Sequence, residues 1–203
     1  MKGAYKFVHH TFLGAVTLIY RLKVVGRENE PMDRAFLVCS NHISAADPVL
    51  ISAAAKNQIS YMAKKELFKI PLLGGLLKSC GVFPVDRGGK DVSAVKKAIA
   101  LLKEGNSVGI FPQGTRRPGL DPRQTDLKNG AAMIAAKTGV DILPVYIHRK
   151  NNTPKLFRKT TVVIGKPISF ADLNYDPDAS GEYTRMVGMI FDEVCKLGEG
   201  LEK

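Results

Sequence analysis

In the stretch Phe36-Leu37-Val38-Cys39-Ser40-Asn41-His42, an apolar run of the kind that forms a buried strand ends abruptly in polar residues. Two later apolar runs also end in this way, one at Phe83 before Pro84 and the other at Phe111 before Pro112. Proline cannot serve the ladder of a central strand, so each proline marks a point where a strand stops. Ligands of open α/β sheets bind outside the carboxyl ends of the strands. The loops that begin at residues 41, 84 and 112 are therefore predicted to share one crevice.

Apolar runs alternate with helical patterns along the chain, which predicts a single-domain α/β fold with a mixed, mostly parallel sheet covered by helices. The predicted strands are residues 22–25, 36–40, 59–63, 81–83, 107–111, 142–147 and 161–164. Apolar residues recur at helical spacing from Val92 to Leu102, and Gly105 supplies a stop. Residues 129–137 are predicted to form an alanine-rich helix and residues 183–197 a closing amphipathic helix.

The 203-residue chain carries 30 Lys and Arg against 19 Asp and Glu, a formal net charge of +11 at pH 7. This excess favours an anionic partner: nucleic acid, anionic lipid, an acidic carrier protein or a phosphorylated substrate. A solvated surface without a partner is the alternative. Cys39, Cys80 and Cys195 are far apart and show no paired spacing of the kind that zinc sites or redox pairs require, so a reducing compartment is expected. Cys39 and Cys80 lie in apolar surroundings and are expected to be buried rather than nucleophilic.

Residues 1–21 are predicted to form a separate helix that associates with a membrane. The 14 residues between Lys6 and Arg21 carry no formal charge. As a helix they would extend about 21 Å, which is short of the roughly 30 Å hydrocarbon core of a bilayer. With Lys2, Lys6, Arg21 and Lys23 around it, this segment matches a helix that lies in the interface with its cations on the lipid head groups. A first helix packed on the protein core is the alternative.

His42 is the candidate general base, because a neutral imidazole can accept a proton from a substrate hydroxyl. Asp47 follows five positions later and is the candidate for orienting the imidazole. Five positions on an ideal helix turn two side chains about 140° apart, so the pair has to form across a loop. Asp47 before Pro48 also matches a helix N-cap, and one carboxylate oxygen can cap while the other accepts from the imidazole.

Arginines that follow strand ends within a few residues are candidates for holding a phosphate, and they are Arg87, Arg116 and Arg117. Guanidinium groups bind phosphate oxygens bidentately. Gly114 and Thr115 add a permissive backbone and a hydroxyl donor. Surface ion pairs with Asp86 or Asp121 are the alternative for these arginines. The chain lacks the Gly-x4-Gly-Lys phosphate loop, the Gly-x-Ser-x-Gly hydrolase motif and the His-Glu-x-x-His zinc motif.

Four sequence blocks, in this order, closely resemble the lysophospholipid acyltransferase superfamily, and within it the 1-acylglycerol-3-phosphate acyltransferases. The blocks are Asn-His-x4-Asp at Asn41, His42 and Asp47, Phe-Pro-Val-x-Arg at residues 83–87, Phe-Pro-Gln-Gly-Thr-Arg at residues 111–116, and Pro-Val at Pro144-Val145. The resemblance runs from about Leu22 to Ile147. The chain departs from the family pattern at Gln113, where the family usually has glutamate. The amide keeps the shape and one acceptor oxygen but lacks the charge.

The resemblance implies a glycerol-phosphate acyltransferase-like domain at residues 22–203. It also implies direct transfer of a fatty acyl group from a thioester, on coenzyme A or acyl carrier protein, to the free sn-2 hydroxyl of lysophosphatidate, which gives phosphatidic acid. The implied catalytic residues are His42 and Asp47, and the implied substrate-binding residues are Arg87, Gln113, Gly114, Thr115 and Arg116. No metal is implied, and no cofactor besides the acyl-donor substrate.

The expected partners are the lysophosphatidate acceptor, the acyl donor and a membrane surface with anionic lipid, with no nucleic acid. The expected location is the cytoplasmic face of the cell membrane, as a peripheral or monotopic protein. The apolar residues 67–77 are either an acyl-chain groove or ordinary core. Two other functions stay open: an acyltransferase for another acceptor, such as glycerol 3-phosphate or a different lysolipid, and a non-catalytic basic module that binds nucleic acid or membrane.

Overall fold

The computed structural model describes residues 14–71, 74–75, 77, 81–85 and 92–201, which form a seven-stranded sheet with helices packed on both faces. The strands are β1 (Leu22–Val25), β2 (Leu37–Ser40), β3 (Ile59–Lys64), β4 (Phe83–Val85), β5 (Ser107–Ile110), β6 (Ile142–His148) and β7 (Thr160–Ile164). Their order across the sheet is β1-β7-β6-β2-β5-β3-β4. The predicted α/β class and its mixed, mostly parallel sheet are confirmed.

The strands β2 to β6 all run in one direction, and β1 and β7 run in the other. β2 pairs in parallel with both β5 and β6, β3 pairs in parallel with β4 and β5, and β1 pairs in parallel with β7. The pair of β6 and β7 is antiparallel. The carboxyl ends of β2 to β6 and the amino ends of β1 and β7 therefore share one edge of the sheet, which we call the carboxyl edge.

The described helices of eight or more residues are α1 (Asp47–Ala54), α2 (Val92–Lys103), α3 (Gly130–Thr138) and α4 (Glu182–Lys196). The helices predicted from Val92, at residues 129–137 and at residues 183–197 are present, with boundaries that differ by about one residue. Gly139 caps α3 with a φ of 67°, a left-handed conformation that glycine adopts without steric cost.

The sheet is buried on both faces, which explains the continuous apolar run of β2. Leu37 and Cys39 belong to a buried cluster that α2, α3 and α4 cover. Val38 points the other way, into a second buried cluster that includes Leu50 and Ile51 of α1. Side chains alternate between the faces because successive residues of a strand point in opposite directions. Both faces of β2 are thereby fixed, and its end holds a defined position at the carboxyl edge.

The prediction that a strand stops at Phe83 is wrong. Phe83, Pro84 and Val85 all belong to β4, and Pro84 is paired with Ala63 of β3. β4 is the last of the described strands in the sheet, so no described strand neighbours one of its sides. Proline is tolerated there because its missing N–H can face outward. β2 and β5, in contrast, end at Ser40 and Ile110, just ahead of the polar turns that the sequence indicated.

Of the predicted N-terminal helix, residues 14–19 are helical, while residues 1–13, with Lys2 and Lys6, lie outside the described residues. Val16 packs into the core with 7% of its surface exposed, whereas Leu18 is 79% exposed. The membrane-associating helix at residues 1–21 stays a prediction. Among the described helices, none combines the length and the apolar character needed to cross a bilayer.

Candidate active site

Asn41 fixes the end of β2 against β6. Its side chain is fully buried, donates from Nδ2 to the Ile147 carbonyl at 3.0 Å and accepts from the Ile147 N–H at 2.7 Å. The amide thus satisfies both backbone groups of a residue near the carboxyl end of β6. The chain consequently leaves the sheet at a fixed point, and the next residue is His42.

His42 and Asp47 meet across the loop between β2 and α1. The His42 Nδ1 lies 2.9 Å from Asp47 Oδ2. A carboxylate can only accept, so Nδ1 carries the proton and Nε2 keeps a lone pair. The Asp47 side chain is fully buried, while 13% of the His42 side chain remains exposed. The structure therefore brings together the two residues that the spacing suggested, with Nε2 positioned to act as a base.

The Asp47 carboxylate also organises the loop that carries His42. Its Oδ2 accepts from the backbone N–H groups of Ile43 at 2.6 Å and Ser44 at 2.7 Å, and its Oδ1 accepts from the Ser44 hydroxyl at 3.1 Å. Asp47 is the first residue of α1, and the N-cap position belongs to Ala46. The interpretation of Asp47 as the N-cap is therefore wrong. Its carboxylate faces back toward the loop because these amides would otherwise be buried without acceptors.

Arg149, which the sequence analysis did not single out, pairs with the far side of the same carboxylate. Its Nη2 lies 3.4 Å from Asp47 Oδ1, and the arginine side chain is only 3% exposed. The guanidinium also lies over the Tyr20 ring, with Cζ 5.5 Å from the ring centroid, and Nε donates to Thr160 Oγ1 at 3.3 Å. Burial lowers the pKa of the Arg149 guanidinium below its ordinary value, and the Asp47 carboxylate opposes this shift. Arginine nevertheless stays charged in proteins, so the site holds a buried chain of cation, carboxylate and imidazole.

Gln113 holds the backbone of His42. Its Oε1 accepts from the His42 N–H at 2.7 Å, and its Nε2 donates to Thr125 Oγ1 at 2.8 Å. The His42 carbonyl in turn accepts from the Arg117 N–H at 2.8 Å. Gln113 is only 2% exposed. Because both ends of its amide are engaged inside the protein, this geometry favours a positioning role over the predicted contact with substrate.

An apolar cavity of about 330 Å³ opens beside His42. The imidazole stacks on the Phe111 ring, with 4.0 Å between the centroids and 14° between the planes. The cavity wall continues from there with Tyr61, Met62, Ile110 and Gly130. Residues 67–77 were predicted as a possible groove, and those of them that the structure describes do not line this cavity. Residues 72–73 and 76 lie outside the described residues.

Gly114, Thr115 and Arg116 form an exposed turn directly after Gln113. Gly114 has a φ of 68°, and an added Cβ would lie 2.9 Å from the Cγ of Lys128, so the position requires glycine. Within the described part of the chain, no ion pair or hydrogen bond engages the Arg116 guanidinium, and the alternative pairing with Asp121 does not form. Arg116 is therefore available to a ligand. Arg87 lies outside the described residues.

Two residues of this region were missed by the sequence analysis, Arg149 and Lys128. Arg149 directly follows His148, the last residue of β6, so the rule that polar residues after strand ends converge would have found it. Lys128 lines the cavity with His42, and its side chain packs over Gly114. No pattern within the sequence marks Lys128, because its contact depends on the turn at Gly114.

Covalent catalysis by Cys39 is disfavoured by its position. Cys39 has none of its surface exposed, and burial raises the pKa of its thiol far above the ordinary value. The thiolate is the nucleophilic form, so this cysteine is inert. Among the described residues, no group of three or more His, Cys, Asp or Glu side chains could hold a metal ion.

Comparisons with known proteins show the family to which the chain belongs. A family model described as Acyltransferase matches residues 21–148. The 1-acyl-sn-glycerol-3-phosphate acyltransferase of Bacillus subtilis (strain 168) is 36% identical over 176 residues, which cover 85% of this chain and 86% of that protein. The enzyme of the same name from Borreliella burgdorferi is 37% identical over 65% of this chain and 53% of that protein. The crystal structure of the 1-acyl-sn-glycerophosphate acyltransferase PlsC from Thermotoga maritima is similar with a TM-score of 0.73 and 29% identity, covering 99% of this chain and 83% of that one.

Proposed function

The chain belongs to the acyltransferase family, and on that basis we propose that it acylates the sn-2 hydroxyl of lysophosphatidate to give phosphatidic acid. The observation that carries this proposal is the His42–Asp47 pair, whose free Nε2 lies beside an apolar cavity. A buried carboxylate that fixes the imidazole tautomer is what general-base activation of an alcohol requires. The relatives with this activity in their names support the choice of acceptor.

In the proposed reaction, His42 Nε2 takes the proton of the acceptor hydroxyl while the hydroxyl oxygen attacks the thioester carbonyl carbon. The tetrahedral intermediate collapses with cleavage of the carbon–sulfur bond, and the imidazolium returns its proton to the leaving thiolate. Asp47 stabilises the imidazolium that forms between these two steps. The products are an ester and a free thiol, and no metal or further cofactor takes part.

Arg116 is proposed to hold the acceptor phosphate, with Thr115 as a hydroxyl donor. The exposed Arg116 guanidinium has no described protein partner, which leaves it free to bind a phosphate bidentately. The Lys128 side chain packs over Gly114, two residues before Arg116, and adds a second cation. The predicted contribution of Arg87 remains part of this proposal. Binding the phosphate converts remote binding energy into positioning of the hydroxyl.

The apolar cavity is proposed to receive the acyl chain of the thioester donor. Its wall of Tyr61, Met62, Ile110 and Phe111 begins at the His42 ring. A chain lying there would place its carbonyl carbon next to Nε2. The proposed donor is acyl-coenzyme A or acyl carrier protein, since each presents the acyl chain as a thioester.

Since the acceptor is a lipid, we further propose that the protein works at a membrane surface with anionic lipid, on the cytoplasmic face, as a peripheral or monotopic protein. The net charge of +11 supports this partner. Nucleic acid is not proposed as a partner, because charge alone would serve that role and would leave the His42–Asp47 pair without a function.

The experiment that tests the function is release of free thiol from an acyl donor. Purified protein is supplied with acyl-coenzyme A or acyl carrier protein and, in separate reactions, with lysophosphatidate, glycerol 3-phosphate or lysophosphatidylcholine. We expect thiol release that depends on lysophosphatidate, with phosphatidic acid as the lipid product. Acylation of glycerol 3-phosphate alone would overturn the proposed acceptor, and absence of thiol release with every acceptor would overturn the proposed function.

A further inference from the structure

The segment Pro154-Lys155-Leu156-Phe157-Arg158-Lys159, which we call the β7 lead, precedes β7 and is exposed throughout. Leu156 is 59% exposed and Phe157 is 70% exposed. Large exposed apolar side chains flanked by cations are typical of surfaces that meet a lipid interface. We propose that the β7 lead docks on the surface of an anionic bilayer.

The conformation of Phe157 supports an external contact. Its φ is 59°, a left-handed conformation that is rare for a bulky residue, and its N–H donates to the Ile19 carbonyl at 2.9 Å. The aromatic ring is therefore held outward by the backbone at a place where the protein offers it little cover. Leu18, one residue before Ile19, is 79% exposed.

The net charge of the chain comes from two segments of the sequence, and β1 in the first pairs with β7 in the second. Residues 1–27 and 142–171 contain eleven Lys and Arg and no Asp or Glu, which equals the whole net charge of +11. The exposed cations at the β7 lead are Lys155, Arg158 and Lys159, and Arg21 lies before β1. Within the part of the chain that the structure describes, none of these four forms an ion pair. Unpaired cations next to apolar side chains complement anionic lipid head groups.

The β7 lead lies on the same side of the molecule as the catalytic pair. Thr160 begins β7 at the carboxyl edge, where β2 ends before His42. Arg149, at the end of β6, joins the two regions directly, since it pairs with Asp47 and bonds to Thr160. A bilayer that contacts Leu156 and Phe157 would therefore face the active site. This inference rests on the proposed function for its meaning, because a lipid acceptor has to reach His42 from a bilayer.

The chain contains no tryptophan, so a single introduced tryptophan reports on its own surroundings. The test compares Phe157→Trp with Met32→Trp, in the full chain, on vesicles of phosphatidylcholine with phosphatidylglycerol. Met32 is a matched control because it is 61% exposed and lies at the opposite edge of the sheet, ahead of β2. For Phe157→Trp only, we expect vesicles to shift the tryptophan fluorescence emission to shorter wavelength and brominated acyl chains to quench it. A Phe157→Trp signal that vesicles leave unchanged, whether or not the protein sediments with them, would overturn the proposal.

A second set of variants separates the apolar and the charged contributions. Leu156→Ser with Phe157→Ser should lower the vesicle partition coefficient at least about tenfold. Lys155→Ser with Arg158→Ser and Lys159→Ser should lower it by about a hundredfold, and only on vesicles with phosphatidylglycerol. Replacing Lys96, Lys97 and Lys103 of α2 by serine is the matched control and should have a far smaller effect. If the β7 lead variants instead abolish self-association in lipid-free buffer and bind vesicles normally, the surface is an interface between copies and the proposal fails.

The outcome is independent of the proposed chemistry, because thiol release can be measured with lysophosphatidate dispersed in detergent micelles. Quenching at position 157 without thiol release would refute the acyltransferase function and leave the bilayer contact intact. Thiol release in micelles without quenching at position 157 would refute the bilayer contact and leave the acyltransferase function intact.

Discussion

Replacing Arg149 by methionine removes a buried cation and keeps a side chain of similar length. Arg149 Nη2 lies 3.4 Å from Asp47 Oδ1, and both side chains are nearly or fully buried. At an effective dielectric constant of about 20, two unit charges at that distance attract each other by about 5 kcal/mol. The pair also lost solvation when it formed, so the attraction is an upper limit to its net contribution.

The measurable quantity is the coupling energy of the two charges. Removal of one partner from a buried pair leaves the other charge without compensation and costs about 3–5 kcal/mol. We therefore expect Arg149→Met and Asp47→Asn each to lower the free energy of unfolding by about 3–5 kcal/mol. The double variant should cost clearly less than the sum of the two, because it leaves no charge unpaired.

The assay is urea unfolding followed by circular dichroism for the four proteins of the cycle. Arg123 and Asp192 supply a matched pair on the surface, with side chains 42% and 46% exposed. Arg123→Met should lower the free energy of unfolding far less than Arg149→Met, as expected of an exposed pair. If the Arg149 and Asp47 effects simply add, so that their coupling is as small as that of an exposed pair, the reasoning about this ion pair is refuted.

Three further predictions concern the residues around the imidazole. Gln113→Ala should lower kcat about tenfold and leave the KM for lysophosphatidate unchanged, because one hydrogen bond that positions His42 is lost; a raised KM would instead indicate contact with the acceptor. Gly109→Ala should reduce the use of long acyl chains relative to short ones, because the new Cβ would lie 2.1 Å from Tyr61 Cε1 and drive the ring into the cavity. An unchanged preference for acyl-chain length would argue against the cavity as the acyl site. Arg116→Ala should raise the KM for lysophosphatidate about tenfold or more while leaving the unfolding free energy unchanged; an unaltered KM would remove Arg116 from the phosphate site.

Much of the fold follows from the sequence because its strands are buried on both faces. Continuous apolar runs such as Leu37–Ser40 can be recognised without knowledge of their partners. The boundary at Pro84 could not be predicted in the same way. Whether proline ends a strand depends on whether that strand is central or peripheral, and the position of β4 in the sheet arises from pairing with β3.

The catalytic pair was accessible from the sequence, because a short loop connects His42 with Asp47 and limits how far apart they can lie. The position of Arg149 after β6 was also accessible, but its contact with Asp47 was not, since that contact depends on β6 lying next to β2 in the sheet. The environment of Gln113 was equally hidden. Its burial and its bond to Thr125 depend on how the loop after β5 folds back over the site.

The proposed reaction depends on His42 as the base, and thiol release by the His42→Ala variant tests this role most directly. The variant is compared with the unaltered chain at saturating acyl-coenzyme A and lysophosphatidate, with circular dichroism as the check on folding. Loss of a general base lowers turnover by about 10²- to 10⁴-fold, and we expect a decrease in that range with the fold retained. Normal acyl transfer to lysophosphatidate by a folded His42→Ala protein would contradict the account.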